Sequence, residues 1–183
     1  WTLVVYFPVA NWVWGGGWLG SMGLIDFAGG TVVHVTAGVA ALVTALVIGQ
    51  RKEFGQTATL PHNLTMSFTG AAMLWVGWFG FNAGSALAAD GAAGMALFVT
   101  HISAATGALT WMVIEWLKFG KPSGLGAITG MVAGLATITP ASGSVGPAGG
   151  LLVGLAGGII CYYATTYLKQ SLKIDDSLDV FPV

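Results

Sequence analysis

The chain has 183 residues, 55% of them hydrophobic and only 7% charged, with a formal net charge of −1. A soluble domain carries about 25% charged residues, so this composition, with a mean hydropathy of +0.80, marks an integral membrane protein. It offers no basic patch for nucleic acid, and the single Cys161 excludes a disulfide within the chain.

Residues 1–13 are apolar apart from Thr2 and Asn11, with Pro8 inside. They read as the end of a spanning helix. The chain begins at Trp1 and stops at Val183 beside a motif, so an internal fragment of a longer protein is expected. Residues 14–25 are rich in glycine and tryptophan, the composition of an interfacial loop. Asp26 then stands where an N-cap would, because a carboxylate accepts the free N–H groups of a helix start; its expected role is structural.

The first full span is 30–49, small or apolar except for His34 and three threonines, and it ends at Gln50-Arg51-Lys52-Glu53. About 20 residues cover the ~30 Å hydrocarbon core of a bilayer. With a start near Asp26, His34 lies roughly 12 Å below that start. An ionisable group so placed faces a bundle interior or an aqueous path, or else bridges helices by a hydrogen bond; spacing leaves both open.

A polar loop over 51–61 precedes the second span, 63–83. A short connection, 84–91, has Asp90 as its only charge. The third span, 92–117, is stopped by Lys118-Phe119-Gly120-Lys121-Pro122, and the fourth, 125–138, is short at 14 residues. A Pro/Gly/Ser turn at 139–147 leads to the fifth span, 149–168. Asp175, Asp176 and Asp179 then precede an incipient helix. The expectation is all-α: one polytopic transmembrane bundle over 1–183, with five full spans and a partial helix at each end.

All six Lys and Arg residues lie in alternate connections, 51–61, 118–124 and 169–177. The positive-inside rule makes those cytoplasmic and puts Trp14, Asp26 and Ser85 outside. Gly126, Gly130 and Gly134, then Gly150, Gly154 and Gly158, recur every four residues. Such stripes let membrane helices pack closely. No phosphate-binding loop, metal spacing or nucleophile motif is present in the sequence, so neither an enzyme, nor a metal site, nor a cofactor is expected.

Several stretches carry a family likeness. Trp14-Gly15-Gly16-Gly17, then Asp26-Phe27-Ala28-Gly29-Gly30 with His34, then Gly77-Trp78-Phe79-Gly80-Phe81-Asn82-Ala83-Gly84-Ser85, and finally Asp175-Asp176-Ser177-Leu178-Asp179-Val180-Phe181 stand in order along the chain. This set closely resembles the ammonium transporter family (Amt/Mep/Rh), most of all its prokaryotic Amt branch, over essentially the whole chain. The resemblance implies part of an 11-helix inverted-repeat bundle in the cell membrane, a homotrimer with one pore in each protomer, and movement of ammonium or ammonia.

By that resemblance Trp14 and Ser85 match the outer recruitment site, one offering an aromatic face to the cation and the other a hydroxyl acceptor. Phe81, one turn before Ser85 on the same face, matches one of two stacked phenylalanines that close the pore. His34 matches the first of two pore histidines that share a hydrogen bond, since a neutral imidazole both donates and accepts. Leu74, Trp78 and Val180 are expected to line the pore. Asp176 is expected to be the structural counterpart of Asp26, and the spacing from Asp26 to His34 then makes the residue after Val183 a histidine, with an open cavity beside His34. The family also implies a PII-type signalling protein as a partner on the cytoplasmic face, with Arg51 and Lys52 in the loop it meets. Alternatives are an ammonium-sensing receptor with a cytoplasmic output domain, or a Rh-type gas channel. Two further histidines matter less: His62 reads as solvated or capping, and His101, inside the third span, as hydrogen-bonded between helices. Glu115 is expected to pair with Lys118 or to reach the interface.

Overall fold

The computed structural model describes residues 1–56 and 60–183; 57–59, the middle of the expected 51–61 loop, lie outside the described residues. Every regular element among the described residues is helical. Helix α1 is Phe7–Trp14, continuing a π-helical turn at Thr2–Tyr6, and α2 is one turn, Trp18–Ser21, within the expected interfacial loop. Helix α3 is Gly30–Ile48, α4 Leu64–Gly84, α5 Gly91–Phe119, α6 Gly124–Ile138 and α7 Pro147–Gln170. These last five correspond to the five expected spans, and all are long and apolar enough to cross a membrane once α6 is counted with its 3₁₀ extension.

The short fourth span is corrected here. A 3₁₀ turn, Thr139–Ala141, continues α6, so the apolar rod Gly124–Ala141 has 18 residues. Pro140 lacks the N–H that an α-turn needs, and the tighter turn carries the chain past it.

Side chains fix the helix starts. Asn63 accepts the N–H of Met66, Asp90 those of Ala92 and Ala93, and Ser123 that of Gly126. Each satisfies donors that a helix start leaves free. Gly120, in the left-handed region at φ +74°, ends α5. Among the described residues Glu115 does not pair with Lys118, one of the two roles expected for it. Its carboxylate takes the backbone N–H and the hydroxyl of Ser123 at 2.6 and 3.0 Å, while Lys118 Nζ lies over the rings of Tyr162 and Tyr163. The acid is thus held at the start of α6 and the base over the aromatic face of α7.

The core is the triangle α5–α6–α7, and glycine stripes build it. A Cβ on Gly134 or on Gly154 would strike the carbonyl of Ser103; one on Gly107 would strike the carbonyl of Gly130. Backbones therefore touch, which is how helices gain dispersion energy where lipid removes the hydrophobic driving force. The Ser103 hydroxyl donates to the Gly134 carbonyl at 2.7 Å across the contact, a bond worth of order 1 kcal/mol in membrane bundles. Helix α4 packs on this triangle through Ala71, Trp75 and Trp78, and the start of α3 rests on Pro140.

Candidate functional site

The site forms where α3, α4 and the end of α6 meet, and its placement begins at Asp26. The sequence put Asp26 at the N-cap; the structure puts Gly29 there, at φ +107°, and starts the helix at Gly30. Asp26 reaches the helix start from four residues upstream. Its Oδ1 accepts the N–H groups of Gly29 and Gly30 at 2.8 and 2.6 Å, and its Oδ2 those of Thr31 and Val32 at 2.8 and 3.1 Å. The Phe27 N–H binds the Pro140 carbonyl at 3.0 Å, and the Gly30 Cα lies so close to the Pro140 ring that a Cβ has no room. Consequently His34 is four residues into the helix, roughly 6 Å at 1.5 Å per residue, rather than the 12 Å expected. The turn that carries it, Gly30–Val35, is π-helical: the His34 N–H bonds the carbonyl of Gly29, five residues back, at 3.1 Å. Such wide turns are rare and concentrate at functional sites.

Helix α4 brings the other side of the site. Leu74, Trp78 and Phe81 follow one another at helical spacing on one face and border the same groove, about 460 Å³, which also reaches His34. Trp78 is pinned by a hydrogen bond from its indole N–H to the hydroxyl of the fully buried Thr139, 2.9 Å away. The His34 ring lies 5.3 Å from that of Trp78 and 5.9 Å from that of Phe81, nearly parallel to the latter at 20°. His34 Nε2 is buried without a hydrogen-bond partner among the described residues. A second cavity, about 620 Å³, opens on the other side of His34 and Trp78 and is bordered by Thr137, Asp179, Val180 and Val183. An open cavity beside His34 was expected, and two are present.

The remaining expected residues are placed as follows. Trp14 donates its indole N–H to the Asp26 carbonyl at 2.8 Å and leaves its ring half exposed. Ser85, just past the end of α4, donates to the Phe81 carbonyl at 2.9 Å, so its lone pairs stay free. Trp14, the last residue of α1, is thus tied to the segment that leads into α3, Ser85 lies at the end of α4, and the aromatic contacts of Phe81 run to His34 and Trp78. Asp176 is buried and its Oδ2 accepts the N–H of Phe181, five residues on, at 2.8 Å; Asp26 likewise holds residue 31, five on from itself. His62 is exposed, next to the capping Asn63. His101 packs its ring against Trp75 and Phe79 at 5.2 and 5.9 Å, an aromatic contact between α4 and α5 in place of the expected hydrogen bond.

Two charged contacts lie at the basic end of the bundle. Arg51 forms a two-pronged pair with Asp175, Nε to Oδ2 at 2.8 Å and Nη2 to Oδ1 at 2.6 Å, with its backbone N–H on Oδ2 as well. The Arg51 hydrogen bond holds the Asp175 carboxyl below the usual carboxylate range. Lys169 meets Asp179, whose carboxyl burial pushes up against the pull of that lysine. Sequence reading missed the Trp78–Thr139 and Lys169–Asp179 contacts. The only signal available was a polar residue at each position inside or beside an apolar run.

Comparison with known proteins follows the same lines. A family model described as Ammonium Transporter Family matches residues 1–183. An ammonium transporter of Bacillus subtilis is 50% identical over 181 residues, covering 99% of this chain and 44% of the relative. Ammonium transporter Amt1 of Archaeoglobus fulgidus is 50% identical over 183 residues, 100% of this chain and 46% of that one. The crystal structure of Candida albicans Mep2 matches with a TM-score of 0.93 at 42% identity, covering 100% of this chain and 41% of that chain. A structure described as a sensor Amt protein matches with a TM-score of 0.92 at 31% identity, covering 98% and 47%. The chain therefore spans less than half the length of these relatives.

Proposed function

The chain belongs to the ammonium transporter family, and from that premise we propose that the protein containing it carries ammonium across a membrane by passing neutral ammonia along His34. The observation that carries this reading is the buried His34 imidazole, flanked by Trp78 and Phe81, with Nε2 unpartnered among the described residues and a cavity on either side. A charge inside hydrocarbon costs at least several kcal/mol. Leaving the proton behind avoids that cost.

In this reading the exposed Trp14 ring and the free lone pairs of Ser85 recruit the cation outside. Phe81 closes the way inward, Leu74 and Trp78 line the path, and Val180 borders its continuation. His34 shares a proton with a second histidine directly after Val183. The shared five-residue offset of the Asp26 and Asp176 hydrogen bonds supports Asp176 as the counterpart of Asp26, and eight residues beyond Asp176 is position 184. The connections 51–61, 118–124 and 169–177 face the cytoplasm, the protein is a homotrimer in the cell membrane, and a PII-type protein docks at the face that includes Arg51 and Lys52. The likeness to a sensor Amt protein favours a second reading, in which the same site binds ammonium to signal it.

The test is His34→Ala in the full-length protein, scored by ammonium-dependent growth of a transport-deficient host and by methylammonium uptake. At least a tenfold loss of uptake, with the oligomer intact on size exclusion, is expected. Wild-type uptake and selectivity from a folded variant would overturn the pore role. A folded wild-type protein that binds ammonium without any flux would favour the sensor.

A further inference from the structure

Helix α7 ends with Lys169, whose ammonium reaches the carboxylate of Asp179 in the connection that follows. Nζ lies 2.9 Å from Oδ2 and 2.8 Å from Oδ1. Both carboxylate oxygens are thus in charge contact with the ammonium, and the hydrogen bond is formed to Oδ2. The two side chains are 33% and 17% exposed. Asp179 adopts φ +56°, a conformation uncommon outside glycine that concentrates at ligand clamps. Its N–H on the Asp176 carbonyl and its carbonyl under the Val183 N–H hold it there.

Position gives this pair its meaning. The cavity that reaches His34 and a separate pocket of about 770 Å³ at the basic end share two bordering residues, Leu178 and Asp179. Two nearby charges are engaged, Arg51 by Asp175 and Asp176 by the Phe181 N–H, while Lys173 is a second lysine bordering the pocket. A lysine head is a primary ammonium with three donors, so a small ammonium ion on a tether already sits on a carboxylate between the two spaces.

We infer that Asp179 is an inner cation site for ammonium and that Lys169 is its built-in competitor. The site rests on the transport reading. Ammonium formed at the basic end, or returning from it, competes for the Asp179 carboxylate and displaces the Lys169 head toward the pocket. The tether restores the lysine as the ion leaves, so the site stays weak and product does not linger. Without Lys169, burial of the carboxylate leaves it in need of a cation, and free ammonium takes the place.

The experiment uses full-length protein in proteoliposomes, with ammonium preloaded on the basic-end side and initial flux measured from the other. In Lys169→Met, the preloaded concentration that halves the flux should fall about tenfold, and adding Asp179→Asn should return it to the wild-type value. An active Lys169→Met protein with wild-type sensitivity overturns the site. Absence of flux from wild-type protein as well defeats the transport reading instead. A second measurement needs no variant. Rubidium, close to ammonium in size and inert to amine reagents, should raise acylation of Lys169 by a succinimidyl ester severalfold in detergent-solubilised protein, relative to choline at equal ionic strength. Equal acylation in the two salts overturns the displacement.

Discussion

Helices α5, α6 and α7 and helices α3 and α4 follow different rules. In the first group small residues face inward: four of the seven buried positions of α6 are glycine or alanine, and four buried glycines of α7 lie against neighbouring backbone or side chains. In the second group only Gly30, Val32 and Gly38 of α3 and Ala71 and Asn82 of α4 are buried within this chain, which spans less than half the length of its relatives, and large apolar side chains point away from the triangle. The difference separates two tasks. Close backbone packing makes a rigid support, since interiors packed this tightly transmit strain and leave no slack. The bulky helices contribute side chains to a seam beside it, where Thr139 and Pro140 of the support orient Trp78 and the start of α3.

A single methyl group is the strongest way to break this contrast. Gly134→Ala puts a Cβ against the Ser103 carbonyl and 3.0 Å from the Ala104 Cα, so it meets the backbone of α5 rather than a side chain that could swing away. Overpacking of this kind costs about 1–3 kcal/mol. Gly80→Ala, on α4, meets nothing of this chain within 4 Å, and in this chain on its own it should be neutral or gain up to about 1 kcal/mol from helix propensity. Thermal unfolding in detergent should show a clear drop for the first and none for the second; equal behaviour would erase the distinction between support and seam.

A smaller effect sharpens the seam itself. Trp14→Leu and Ser85→Leu should each lower uptake severalfold at low ammonium and leave it near wild type at saturating ammonium. A cation over an aromatic face gains about 0.5–2 kcal/mol, which is a matter of affinity rather than of turnover. Flux curves that superimpose on wild type at every concentration would remove recruitment from these two residues.

The smallest effect belongs to the pair that ties the end of α3 to the chain beyond α7. The folded-state pKa of Asp175 lies below its ordinary value because of Arg51. Its stabilisation is therefore present above that ordinary value, near 4, and is lost as pH falls through the lower folded value. Arg51→Ala should lower the unfolding temperature by a few degrees at most at neutral pH, as exposed pairs do, and the gap to wild type should close on acidification. A gap that persists at pH 2 would assign the effect to packing.

The spans were legible because apolar length and glycine spacing are properties of one stretch of chain, and the structure moves their ends by two residues or fewer apart from the 3₁₀ extension of the fourth to Ala141. The start of α3 was less so. Nothing in the letters Asp26 to Gly30 says that Gly29 takes a positive φ and that the carboxylate caps from a distance, and the depth of His34 was overestimated as a result. Least legible were contacts between positions far apart in sequence. Trp78 and Thr139 are 61 residues apart, and composition reports that each is polar-tipped in an apolar run without reporting that they meet. The Arg51–Asp175 and Lys169–Asp179 pairs were hidden for the same reason. Charges at the ends of spans look like solvated loop residues until the fold brings them together.

Asp26 carries one more consequence. A carboxylate has about four lone-pair sites, and four backbone N–H groups already occupy this one. It is a saturated acceptor. A cation arriving at this end of α3 finds no oxygen of Asp26 to coordinate, and a proton placed on it would have to evict part of the helix's own cap. The acid nearest in sequence to His34 is thereby withdrawn from cation binding, and under the proposed transport reading recruitment falls to rings and hydroxyls, groups that sort a cation by hydration and shape.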